Sequence, residues 1–69
     1  MKRMIWDGAK LIAIMAFADK DGEQVAAAIG VTRQVVSNYR NGIAPRPERV
    51  TALAKALECK ETDFYSEVK

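Results

Sequence analysis

The stretch GEQVAAAIGVTRQVVSNYRNG, residues 22–42, decides the fold. Asp21 followed three residues later by Gln24 has the form of a capping box, in which each residue satisfies a free amide of the other. Val25, Ala26 and Ile29 then form the inward face of a short helix, which Gly30 ends because glycine turns the chain through positive φ at no steric cost. Val31 supplies an apolar anchor in the turn. Thr32 caps a second short helix whose inward residues are Val36 and Tyr39 and which Gly42 closes. Ala26 is small where the two helices must approach closely. Only a few residues join the two helices, and Val25, Ile29, Val31, Val36 and Tyr39 fill the wedge between them.

Working outward, Asp7 is placed to cap a first helix over residues 8–19, where Leu11, Ile12, Met15 and Ala18 recur at three- and four-residue spacing. After a non-periodic segment, Ile43 to Arg46, Pro47 suits the first position of a fourth helix because its missing amide hydrogen is not needed there. Val50, Leu53, Ala54 and Leu57 give that helix one apolar stripe and leave Glu48, Thr51, Lys55 and Glu58 outside. A short fifth helix over residues 61–66 carries Phe64 and Tyr65. No segment alternates with period two for long enough to read as a strand. The expectation is an all-α, five-helix single domain over residues 1–69, with its core in 8–66.

Composition bounds the function. A chain of 69 residues buries only about 60% of its unfolded surface, so one modest core is all it can build. No apolar run approaches the roughly 20 residues that span a bilayer, and Leu11–Ala18 is too short and too soon followed by Asp19, Lys20 and Asp21 for a leader. The reading is a soluble, cytoplasmic protein without a membrane partner. Cys59 is the single cysteine and histidine is absent, so neither a disulfide nor a usual zinc site is expected. Cys59 reads as a small buried hydrophobe. Trp6 reads as packing on the first helix, and Met4 and Met15 as fillers of core gaps.

Net charge is only +2, but its distribution is uneven. Between Gln24 and Pro47 no acidic residue occurs, while Arg33, Arg40 and Arg46 do, with Arg49 just beyond. The outward face of the third helix, set by the inward pair Val36 and Tyr39, is Thr32, Arg33, Gln34, Ser37, Asn38 and Asn41. Nearly all of these are hydrogen-bonding side chains. A plain αα-corner has no reason to exclude carboxylates there, so a polyanionic partner is indicated.

The VAAAIGVT segment, the YRNG after it and the pair Arg46-Pro47 resemble the lambdoid phage repressor and Cro family of helix-turn-helix regulators, over about residues 9–65. The resemblance implies a lambda-repressor-like five-helix fold and a dimer bound to double-stranded operator DNA. This sequence departs from the family at Gly22, where members commonly carry a glutamine that touches phosphate, and at Glu58, where glycine or asparagine is frequent. In such folds the third helix enters the major groove. Arg33, Gln34, Ser37 and Asn38 are then the expected base readers: arginine pairs bidentately with guanine and glutamine or asparagine with adenine, while Val35 can meet a thymine methyl. Thr32, Arg40, Asn41, Arg46 and Arg49 are the expected phosphate contacts.

The expected function is a Cro-type phage or prophage repressor, acting in a bacterial cell or an infected host and binding a palindromic operator as a homodimer. The chain leaves no room after the fifth helix for a sensing domain, so neither an effector nor a cofactor is expected. The alternative from another class is an antitoxin or protein-interaction module that uses the same fold. Phe64 and Tyr65 leave two readings, completion of the core or a contact between protomers. Enzymatic activity is not expected, because no nucleophile has a base nearby in sequence.

Overall fold

A computed structural model describes residues 3–68. Four α-helices carry the core: α1 (Gly8–Phe17), α2 (Gly22–Ile29), α3 (Arg33–Arg40) and α4 (Pro47–Ala56). A single 3₁₀ turn, Glu61–Phe64, follows. Two four-residue strands, β1 (Arg3–Trp6) and β2 (Tyr65–Val68), pair antiparallel with Trp6 opposite Tyr65 and Arg3 opposite Val68.

Each helix starts as local chemistry dictates. The Asp7 carboxylate accepts from the Ala9 amide, Asp21 and Gln24 make a reciprocal capping box, and the Thr32 hydroxyl accepts from the Val35 amide. Pro47 opens α4. The helices also end alike. Residues 19, 30, 42 and 58 all have positive φ, and the amide of the residue after each bonds back to a carbonyl five positions earlier: Lys20 to Met15, Val31 to Ala26, Ile43 to Asn38 and Cys59 to Ala54. This is the Schellman closure. Two of the four positions are glycine. The other two are Asp19 and Glu58, which carry a Cβ into a region that disfavours it.

The core runs through Leu11, Met15, Val25, Val36, Val50, Leu53 and Phe64, all nearly inaccessible to water. Trp6 joins it from β1. Its indole Nε1–H donates to the Tyr39 carbonyl at 2.8 Å, and its ring meets Tyr39 and Tyr65 edge-on and Phe64 at a tilt. The end of α3 is therefore held by a residue from the first strand. Asp7 completes the clasp: its amide donates to the Phe64 carbonyl at 2.9 Å and its carboxylate accepts from the Ser66 hydroxyl. The Ser66 hydroxyl, helped by the Ala9 and Lys10 amides and the Lys10 charge and opposed by partial desolvation, lowers the Asp7 pKa. At Gly8, a Cβ would lie 2.2 Å from the Arg40 carbonyl oxygen, so only glycine lets α1 start against the end of α3.

Several expectations need correction. The fifth helix is a 3₁₀ turn that gives way to β2 at Tyr65, so the chain is mostly helical with a small sheet and not five-helical. Neither strand alternates between buried and exposed residues, and both are fixed by pairing between the two ends of the fold. Helix α1 stops at Phe17, before the expected residue 19, because Asp19 turns left-handed. Ile12 is exposed, about 100° around the helix from Leu11 and on the solvent side of the stripe formed by Gly8, Leu11 and Met15. Met15 fills the core as expected, but Met4 is exposed on β1, and Cys59 is half-buried. Trp6 is a packing residue in the same cluster as Leu11 and Met15 of α1, and its ring also meets Tyr39, Phe64 and Tyr65. Phe64 is fully buried, which settles it as a core residue.

Candidate nucleic-acid interface

Helices α2 and α3 meet around Gly30, and Val36 and Tyr39 anchor α3 from below. That anchoring turns the opposite face outward. Arg33 and Gln34 are exposed, and Ser37 and Asn38 are half-exposed one turn further along. The four sequence-predicted base readers thus share one face of α3. Gln34 Nε2 donates to Asn38 Oδ1 at 3.0 Å, which leaves the pair with a free acceptor, Gln34 Oε1, and free N–H donors, both on Asn38 Nδ2 and the second on Gln34 Nε2. Val35 lies between the faces and leans on the core from its edge.

The predicted phosphate contacts divide between the two flanks of α3. On the α4 side, Arg46 and Arg49 line a shallow hollow with Val31, Val35, Tyr39, Glu48 and Ala52. Arg46 is exposed at the residue before α4, whereas Arg49 is half-buried and donates one Nη to the Ile29 carbonyl at 3.0 Å. Sequence reasoning missed that bond. It closes the C-terminal end of α2, where a cation also suits the helix dipole. On the α2 side, Arg33 and Arg40 line a second hollow with Gln34, Ser37, Asp21, Gly22 and Glu23. Thr32 and Asn41 sit at the two ends of α3 as its caps.

The second hollow qualifies the charge argument. The run without carboxylates is continuous along the chain, but folding brings Asp21 and Glu23 beside α3. The Asp21 carboxylate is engaged by the Gln24 amide at 2.8 Å, while Glu23 stays exposed. On the α2 flank the two arginines only balance Asp21 and Glu23, whereas the α4 flank, with Arg46 and Arg49 against Glu48, keeps one positive charge in excess.

A short α2, a tight left-handed turn at Gly30 and an α3 with a buried base and a polar outer face define a DNA-binding helix-turn-helix. A helix-turn-helix family model matches residues 19–64, and the chain belongs to that family of DNA-binding regulators, whose members are typically not enzymes. Comparison with curated proteins gives no match. Among the described residues, no helix is long and apolar enough to cross a membrane.

Proposed function

We propose that this protein is a transcriptional repressor of the kind exemplified by lambdoid repressors and Cro proteins, binding a palindromic operator as a homodimer with α3 in the major groove. The observation that carries the reading is the outer face of α3, where Arg33, Gln34, Ser37 and Asn38 stand together above the buried Val36 and Tyr39. Arginine presents a fork of donors to the two acceptors of guanine. The Gln34–Asn38 pair offers the acceptor and donor that the N6 and N7 edge of adenine requires. Phosphates on the two strands bordering the groove are met on one side by Arg46 and the remaining donors of Arg49, and on the other by Arg40. Thr32 and Asn41 add contacts at the ends of the helix. These contacts set affinity and register, and the face of α3 sets sequence.

Selection of bound sites from random duplex DNA tests the proposal. The expected product is an inverted repeat whose half-sites are about 10–10.5 base pairs apart, one helical turn. With three arginine–phosphate contacts in each protomer, log K should fall against log salt with a slope of about −5. No enrichment over random sequence, or a slope near zero, refutes the reading.

A further inference from the structure

Gly22 has no backbone reason to be glycine. It is the first residue of α2, its φ is not among the positive ones, and glycine in a helix is less favourable than alanine by up to about 1 kcal/mol. What it does have is a neighbour. A Cβ at this position would lie 3.1 Å from Arg40 Nη2 and 3.6 Å from Arg40 Cζ, with Arg33 Cγ at 3.7 Å. The Arg40 side chain runs from the last turn of α3 back to the first turn of α2 and occupies the room a side chain at 22 would take.

Electrostatics gives that seat a consequence. The hollow beneath it is lined by Asp21 and Glu23 as well as by Arg33 and Arg40. A phosphate approaching α3 from the α2 side would meet the Glu23 charge unless a cation stood between them. Arg40 is only half-exposed, and among the described residues no carboxylate holds it in an ion pair. It is held by packing over Gly22, with its guanidinium left for an external anion.

We infer that Gly22 is a positioning residue for DNA binding: its missing side chain seats the Arg40 guanidinium where it holds a backbone phosphate on the α2 flank of the groove. This rests on the DNA-binding reading above. A bulky side chain at 22 unseats Arg40, and the protein then behaves as though Arg40 were absent.

The test is a double-mutant cycle on a duplex selected by the wild-type protein, with binding followed by fluorescence anisotropy across a salt series. Gly22→Leu and Arg40→Ala should each weaken binding about ten- to 100-fold and reduce the salt slope by about 0.9 per protomer. The double variant should bind within about threefold of Arg40→Ala alone, since the two changes remove one contact. Gly22→Ala, whose Cβ displaces the guanidinium only slightly, should lose less affinity without losing melting temperature, and it carries the test should the leucine variant fail to fold. Wild-type affinity and slope in the Gly22 variants, or losses that multiply in the double variant, would overturn the inference while leaving DNA binding intact. Failure of the wild-type protein to select any duplex would instead remove the DNA-binding reading and this inference with it.

Discussion

Replacing Gly8 by alanine pits helix propensity against packing, and the structure says which wins. Alanine is the better helix former by up to about 1 kcal/mol, so the sequence alone forecasts a gain. The new Cβ, however, would sit 2.2 Å from the Arg40 carbonyl oxygen, 2.7 Å from its carbon and 2.9 Å from the Tyr39 oxygen. All three are backbone atoms and cannot rotate away, so α1 and the end of α3 must separate by roughly 1 Å to restore van der Waals distance. The same Tyr39 carbonyl accepts the Trp6 indole hydrogen bond at 2.8 Å, and a shift of that size takes it beyond bonding range. Overpacking costs about 1–3 kcal/mol and a broken buried hydrogen bond about 1–3 kcal/mol. After the propensity gain, a net loss of about 1–5 kcal/mol is expected, a large part of the roughly 3–10 kcal/mol available to a fold this small. Urea unfolding followed by circular dichroism and by the fluorescence of Trp6, the single tryptophan, measures it. A Gly8→Ala protein as stable as wild type, or more stable, would refute the reasoning.

Glu58→Gly should raise stability by about 0.5–1 kcal/mol and the melting temperature by about 2–8 °C, because Glu58 holds φ at 54°; a calorimetric melt showing no rise contradicts this. The Asp7 pKa is lowered in the folded state, first by the Ser66 hydroxyl, so its stabilisation is present above the unfolded value near about pH 3.9 and is lost as the pH falls through the lower folded value. Ser66→Ala should therefore destabilise the protein at pH 6 and progressively less as the pH drops below about 4, and urea titrations showing a pH-independent difference would rule this out. Glu23→Gln should tighten DNA binding about two- to fivefold at low salt by removing a like charge from the phosphate side of the α2 hollow, whereas an unchanged affinity would place Glu23 away from the DNA.

Residues 21–42 were legible because their signals are local. The capping box of Asp21 and Gln24, the left-handed Gly30 and the Thr32 cap each depend on atoms within five residues of one another. Periodicity alone then told the buried Val36 and Tyr39 from the outer face of Arg33, Gln34, Ser37 and Asn38. The features that escaped depend on distant partners. β1 buries only Trp6 of its four residues and so shows no alternation, and it exists because Tyr65–Val68 lies beside it. Gly8 shows no pattern, since its reason is a carbonyl 32 positions away in Arg40. Arg49 looked like a phosphate contact by charge, yet the nearer claim on it is the Ile29 carbonyl. Asp19 and Glu58 carry no glycine signal although they do a glycine's work. Glu23 lay just outside the segment free of carboxylates, and only folding brings it alongside α3.

The claim that α3 reads bases while the flanking arginines hold the backbone is tested most directly by measuring the affinity of wild type, Gln34→Ala and Arg46→Ala for every single-base variant of the selected half-site. Loss of the Gln34 side chain should relax discrimination at one base position by about 1–3 kcal/mol and leave the other positions as they were. Loss of Arg46 should weaken all variants by a similar factor and reduce the salt slope by about 1 per protomer. The reverse pattern, with Arg46→Ala relaxing one position and Gln34→Ala lowering every affinity alike, would contradict the account.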